Sequence, residues 1–303
     1  MEAPSNKNIL VTGISGFTGK HLETYLTSKG FTVFGTVIDI PKKETHFSCD
    51  ILNEDAILEV LEKVRPAYII NLAAISFVAE NSKENIYKVN VFGALNLLNA
   101  IDKLDYIPKK ILMISSATVY GNIEGELFEA FCPQPVNHYG NSKLVMENMV
   151  KTFFDRQNII ITRPFNYTGI HQEEKFLIPK IIEHYAKGLK KIALGNIDVY
   201  REFNDIGFVV ETYTKLLTSE VKSEIVNICS GAAINIKKIL KTMDELSGYT
   251  MEVEVNPAFV RKNEIVMLKG SAEKLSSFIS FSNSKYSIEN TLTKMYNHKI
   301  LKN

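Results

Sequence analysis

The chain has 303 residues, 45% apolar and 23% charged, the make-up of a soluble globular protein with room for a large α/β domain and a smaller lobe. Thirty-five Lys and Arg against 34 Asp and Glu leave a net charge of +1, which argues against nucleic acid as a partner, since a polyanion reader carries a basic surplus. Cys49, Cys132 and Cys229 are far apart and lack a C-x-x-C pairing, so they point to no metal site and to a reducing compartment. Together with an N-terminus unlike a signal peptide and no apolar run near ~20 residues, they predict a cytoplasmic protein without membrane contact.

Ile9–Thr12 reads as a strand that runs into Gly13-Ile14-Ser15-Gly16-Phe17-Thr18-Gly19, and a helix is predicted over Gly19–Lys29. Glycines between a strand and a helix let backbone approach a pyrophosphate, whose charge then rests on the amides of the helix N-terminus. The spacing is G-x-x-G-x-x-G rather than G-x-G-x-x-G, and a tight turn that binds nothing is the plain alternative. A second strand, Thr32–Val37, is followed by Asp39, 20 residues after Gly19. A carboxylate there can accept from adenosine ribose hydroxyls and repel a 2′-phosphate, which leans toward NAD. Lys42 and Lys43 could act in the opposite sense. Asp50 and Ile51 can offer a carboxylate and an apolar face to adenine, or form an ordinary cap.

A helix over Glu54–Val64 leads to a strand at Tyr68–Leu72, which ends in Asn71-Leu72-Ala73-Ala74. Side chains this small would let a cofactor run close to the backbone. A long helix over Glu84–Leu104 precedes a strand, Lys110–Ser115, that delivers Ser116. A hydroxyl at a strand end can stabilise a developing oxyanion, although serine there is more often a turn former. Tyr139 and Lys143 lie four apart, hence on one helical face. A neighbouring ammonium is expected to lower the tyrosine pKa, so that the phenol can exchange a proton with a carbonyl or alcohol. A helix over Ser142–Arg156 and a strand over Ile159–Thr162 close this half.

This β-then-α alternation predicts a Rossmann-type doubly wound parallel sheet, with ligands at the carboxyl ends of its strands. Beyond Arg163-Pro164 helical patterns at Leu177–Lys187 and Phe208–Thr218 mix with short apolar runs near Ile192 and Ile225–Ile228. A helix from Asn235 to Ser247, a strand at Met251–Val255 and a helix near Ile288–Tyr296 finish the chain. We read residues 1–165 as the NAD(P)-binding domain, joined by interleaved segments around 191–218, and residues 166–303 as a smaller C-terminal substrate-binding lobe. The cleft between them is the expected substrate site.

The T-G-x-x-G-x-x-G turn, Asp50-Ile51, Asn71–Ala74, Asn90 within Val89–Gly93, Ser116, Tyr139 and Lys143 occur in order. Together they resemble the extended short-chain dehydrogenase/reductase family, in its sugar-nucleotide branch, over nearly the whole chain. The resemblance implies that Ser116 and Tyr139 hold the sugar's reacting oxygen, and that Lys143 binds the nicotinamide ribose and tunes Tyr139. It implies NAD(P)H contacts from Gly13, Ser15, Gly16, Phe17, Thr18, Gly19, Asp39, Asp50, Ile51, Leu72, Ala73, Ala74, Asn90, Tyr139, Lys143 and Pro164. Substrate contacts would come from Ser76, Ser116, Asn166 in Arg163–Asn166, Arg201, Arg261 and Glu264, the two arginines forking onto the diphosphate. Surface ion pairs are the plain alternative for both arginines.

Three reactions share such a scaffold. Sugar-nucleotide dehydratases carry acids just after the catalytic Ser or Thr, where this chain has Ala117 and Thr118, so water loss is not expected. The expectation is reduction of the C4 ketone of a nucleotide-linked 4-keto-6-deoxy sugar, GDP-4-keto-6-deoxy-D-mannose first, with dTDP or CDP sugars as alternatives. The competing readings are a 4-epimerase with tightly bound NAD and a nucleotide sensor without catalysis. The family often dimerises through two helices matching Glu84–Leu104 and Ser142–Arg156, so a homodimer is expected.

Overall fold

The computed structural model describes residues 7–76, 83–259, 265–282 and 284–301. Strands β1 (Asn8–Thr12), β2 (Thr32–Val37), β3 (His46–Ser48), β4 (Tyr68–Asn71) and β5 (Lys110–Ile114) are interleaved with helices α1 (Phe17–Ser28), α2 (Glu54–Val64), α3 (Lys83–Tyr87) and α4 (Gly93–Asp102). The chain continues through β6 (Gly125–Leu127), α5 (His138–Lys151), β7 (Ile159–Pro164), β8 (Tyr167–Thr168), α6 (Leu177–Ala186), β9 (Lys191–Leu194), β10 (Tyr200–Glu202) and β11 (Asn204–Asp205). It ends with α7 (Ile206–Leu217), β12 (Glu224–Ile228), β13 (Ala233–Asn235), α8 (Ile236–Ser247), β14 (Glu252–Val255), β15 (Met267–Gly270), α9 (Glu273–Phe278) and α10 (Ile288–Ile300).

Seven strands form one sheet in the order β12-β7-β5-β4-β1-β2-β3, and every neighbouring pair in it is parallel. Apolar side chains fill both faces, as a sheet covered by helices on both sides requires. Ile9 and Val11 of β1, Ile70, Leu112, Ile160 and Val226 pack with α1 and α7. Their sequence neighbours Leu10, Ile69, Ile111, Met113, Ile159 and Ile161 face α2, α4 and α5. The period of two in a strand produces that division. From β1 the chain moves outward through β2 and β3, then returns to β4 on the other flank. The crevice between the carboxyl ends of β1 and β4 is the switch point, where such sheets bind ligands.

A separate apolar core gathers α6, α8, α10 and β9 around Ile178, Ile182, Tyr185, Ile192, Leu240, Met243, Leu292 and Met295. The main sheet also draws its outer strand β12 from beyond residue 166, and α7 packs on its face.

Two elements that frame the site differ from the expectation. The helix read as continuous from 84 to 104 is broken by a π-helical turn at Lys88–Phe92. Asn90, inside that turn, is buried and spends its amide on Ile75 and Ser142. Helix α5 begins at His138 rather than Ser142, because the Asn137 side chain caps it by accepting from the Gly140 amide at 2.8 Å. The helix therefore takes in Tyr139, in its first turn, as the shared helical face with Lys143 requires. The three cysteines are free, Cys132 exposed and the other two buried. Among the described residues no helix is long and apolar enough to cross a membrane.

Candidate active site

The glycine turn is shaped by contacts that a side chain would obstruct. Gly13 has φ of +67°, and a Cβ on it would stand 3.1 Å from the Ala73 backbone. The segment after β4 therefore lies against the turn. Thr12 locks the two together by donating its hydroxyl to Asn71 Oδ1 at 2.6 Å and accepting from the Ala73 amide at 3.1 Å. Gly19 packs so tightly that a Cβ would meet the Ile14 carbonyl oxygen at 2.4 Å. Gly16 caps α1 with no side-chain hydrogen bond, and no acidic residue occupies the first helical turn. A helix N-terminus left in this state fits an anionic pyrophosphate. Thr18 shares a hydrogen bond of 2.9 Å with the Tyr167 hydroxyl, and Phe17 stacks on the same ring at 6.1 Å.

The other residues named for the cofactor take varied positions. Ser15, Asp39 and Asp50 are exposed. Asp50 caps its own turn by accepting from the Leu52 amide at 2.9 Å. Ile51 is a core residue under α4, its side chain against Gly93. Leu72, Ala73 and Ala74 are half-buried after β4, and Pro164 is buried at the end of β7. Asn90 braces the cleft from behind. Its Oδ1 accepts from the Ile75 amide at 2.8 Å, and its Nδ2 donates to the Ile75 carbonyl at 3.1 Å and to Ser142 Oγ at 2.9 Å. Both amide hydrogens are thereby spent on protein.

Strand β5 delivers Ser116 to its carboxyl end, where the residue caps a short 3-10 turn, Ala117–Tyr120. Its hydroxyl oxygen accepts from the Thr118 amide at 3.2 Å and the Thr118 hydroxyl at 2.9 Å. With two donors on its oxygen, the Ser116 hydroxyl has its own proton left to donate. The Ser116 hydroxyl lies near enough to the Tyr139 phenol to draw its pKa downward. One turn on, Lys143 lies with Nζ 6.0 Å from the Tyr139 ring centre and donates to the Ile114 carbonyl at 2.7 Å. The structure thus brings all three predicted catalytic groups together.

Their electrostatics differ from the expectation. Burial pushes the Tyr139 phenol up to about 12, with the adjacent Tyr167 adding to the effect and the Ser116 hydroxyl opposing it. Burial also pushes Lys143 down to about 8, against the pull of Glu147. Spacing four apart puts Lys143 beneath Tyr139, but desolvation outweighs the charge of an ammonium aimed at a backbone carbonyl.

On the substrate side, Asn166 is exposed just past β7, where its Nδ2 donates to the Glu202 carbonyl at 3.2 Å. Arg201 on β10 is half-buried, and its guanidinium donates to the Tyr200 carbonyl at 2.9 Å. Ser76 is exposed at the end of the switch-point segment. Arg261 and Glu264 lie outside the described residues. Two surface cavities are lined by none of the three catalytic groups. One of about 120 Å³ sits between His171, Gln172, Met295 and His298, and a shallower one of about 560 Å³ lies beside Glu23 and Phe31. Sequence reasoning missed Tyr167 and Glu147, and read Thr12 only as the first residue of the glycine-turn motif. Tyr167 directly follows Asn166, and Glu147 continues the four-residue spacing of Tyr139 and Lys143 by one more step, so both carried a faint signal.

Residues 10–295 match the family described as GDP-mannose 4,6 dehydratase. The chain is 36% identical over 295 residues to GDP-6-deoxy-D-talose 4-dehydrogenase of Aggregatibacter actinomycetemcomitans, covering 97% of this chain and 98% of that relative. GDP-6-deoxy-D-mannose reductase of Pseudomonas aeruginosa is 29% identical over 281 residues, 89% of this chain and 90% of its own length. The solved structure of RMD from Pseudomonas aeruginosa complexed with NADPH matches with a TM-score of 0.85 at 25% identity, covering 98% of this chain and 100% of that one.

Proposed function

The chain belongs to the GDP-mannose 4,6-dehydratase family within the extended short-chain dehydrogenases/reductases, and from that premise we propose that it reduces the C4 ketone of a GDP-linked 4-keto-6-deoxy sugar with NAD(P)H. That it is an NAD(P)-dependent sugar-nucleotide oxidoreductase follows from its relatives; the substrate and direction are our reading. The observation that carries it is the convergence of Ser116, Tyr139 and Lys143 at the carboxyl end of β5, with Lys143 Nζ 6.0 Å from the Tyr139 ring centre and bonded to the Ile114 carbonyl. The family name itself does not favour water loss here, because Ala117 and Thr118 hold the positions where a dehydratase needs acids. The two named relatives converge on one ketone. 6-Deoxytalose and 6-deoxymannose differ only at C4, so oxidation at that carbon gives the same 4-keto sugar from either.

The residues of the glycine turn, the Leu72–Ala74 segment and Lys143 would hold the dinucleotide. Bound there in reduced form, it supplies a hydride equivalent. Ser116, already accepting two hydrogen bonds, donates a hydrogen bond to the C4 oxygen, keeping its own proton, and stabilises the charge that develops there. Tyr139 gives that oxygen its proton. A phenol pushed up to about 12 is protonated at neutral pH, the form that ketone reduction needs. Asn166 and Arg201 on the opposite wall would orient the diphosphate. Phe92, Val145 and Met149 are exposed apolar residues on or beside α4 and α5, which supports a homodimer through that face.

The test is to supply GDP-4-keto-6-deoxy-mannose with NADH or NADPH and to follow nicotinamide absorbance and the configuration of the product at C4. Cofactor consumption matched to new hydroxyl is expected, together with a loss of at least about a hundredfold in turnover for Tyr139→Phe with cofactor binding retained. No consumption with any 4-keto sugar nucleotide would refute the proposal. C4 inversion of a sugar nucleotide by tightly held NAD would put an epimerase in its place.

A further inference from the structure

Tyr139, Lys143 and Glu147 follow one another at four-residue intervals along α5, so they share one face of the helix. The mechanism above leaves Glu147 unused. The residue is fully buried, and both of its oxygens are engaged. Ser115 donates to Oε1 at 2.5 Å, Arg163 Nε donates to Oε1 at 2.9 Å, and Arg163 Nη2 donates to Oε2 at 2.7 Å. Arg163 is itself buried and extends the chain of contacts, donating through Nη1 to Tyr120 Oη at 3.0 Å and to the Glu129 carbonyl at 3.3 Å. Tyr120 in turn donates to Asn227 on β12 at 2.7 Å.

One carboxylate therefore touches three pieces of the site. It shares a helix with Tyr139 and Lys143. It holds Ser115, the neighbour of Ser116 at the end of β5. It also clamps Arg163 at the end of β7, three residues before Asn166. Lys143 donates to the Ile114 carbonyl of β5 and has Tyr139 and Glu147 one turn to either side on α5; Glu147 in turn holds Ser115, just past β5, and Arg163 of β7, which reaches Tyr120 of the 3-10 turn. The charge of Glu147 opposes the downward push of burial on Lys143.

We propose that Glu147, clamped by Arg163, is a positioning residue that anchors Ser115, the neighbour of Ser116, and sets a carboxylate one helical turn from Lys143 on the same face of α5. The inference rests on the reading of the site given above. It requires the two members of the pair to act with opposite sign. Glu147→Gln removes the negative charge and leaves Arg163 uncompensated, so Lys143 should lose its proton at lower pH. Arg163→Gln leaves Glu147 unopposed, so Lys143 should hold its proton to higher pH. Glu147→Gln with Arg163→Gln restores the balance of charge.

The experiment measures, for the whole protein without substrate, the pH at which unfolding resistance begins to rise because of Lys143. That contribution is identified as the part abolished by Lys143→Met in each background. The onset should fall by about one pH unit or more in Glu147→Gln, rise in Arg163→Gln and lie between these two in the double variant. The alkaline limb of turnover should move the same way. An onset unmoved in both single variants, with only a uniform loss of stability, would overturn the proposal. If Glu147→Gln does not fold, the upward shift in Arg163→Gln and its reduction in the double variant still decide the matter. Tyr139→Phe assayed alongside separates the two levels of failure. An unmoved onset with Tyr139 still required sinks this inference alone, whereas full turnover without Tyr139 sinks the reading beneath it.

Discussion

Replacing Lys143 with methionine keeps the length and most of the volume of the side chain while removing its charge. In the folded protein burial holds this lysine at about 8, against an ordinary value of 10.5. At about 1.4 kcal/mol per pH unit, that difference is worth at most about 3 kcal/mol. The sign follows from proton counting. Below pH 8 the lysine is charged in both states, and the folded state bears the whole cost of burying the ammonium. Between 8 and 10.5 the folded state releases the proton while the unfolded state keeps it, so stability rises with pH. Above 10.5 both are neutral and the cost is gone. Methionine also leaves the Ile114 carbonyl without its 2.7 Å donor, an offset of about 1–3 kcal/mol that does not vary with pH. The difference between wild-type and variant stability isolates the charge from the lost bond. Urea unfolding of both proteins at a series of pH values from about 7 upward should show wild type gaining on Lys143→Met by up to about 3 kcal/mol across that window. Parallel curves, or wild type losing ground as pH rises, would refute the reasoning.

Gly19→Ala would place a Cβ 2.4 Å from a backbone oxygen that cannot swing aside. It should cost about 1–3 kcal/mol in a denaturant titration and weaken dinucleotide binding measured by fluorescence. Gly30→Ala is the control. Its φ of +82° is strained but its surroundings are open, so about 1–2 kcal/mol is lost with binding unchanged. Asn90→Leu strips three hydrogen bonds from Ile75 and Ser142. A loss of about 1–3 kcal/mol is expected, with cofactor affinity falling further than in a core variant of equal stability such as Leu112→Ala.

The sequence by itself determined the parallel sheet, the glycine turn and the Ser116, Tyr139 and Lys143 set, because each is written in local terms. Short continuous apolar runs that give way to period-3.6 patterns define strands and helices within a few residues. Glycines at a strand-to-helix junction, and a tyrosine and lysine one helical turn apart, are likewise short-range patterns. Tertiary structure decided what depends on residues distant in the chain. Thr12 meets Asn71, Asn90 meets Ser142, and Glu147 meets Arg163, and no local pattern announces such pairings. The same holds for the break in the helix expected over 84–104, where an amide at 90 bonds backbone at 75. The charge state of the site changed most. Spacing suggested a phenol made acidic by its neighbour, but pKa depends on how much protein surrounds a group, and burial reversed the direction for Tyr139. Local chemistry can be read along the chain, whereas desolvation is a property of the packed volume and exists only once the chain has folded.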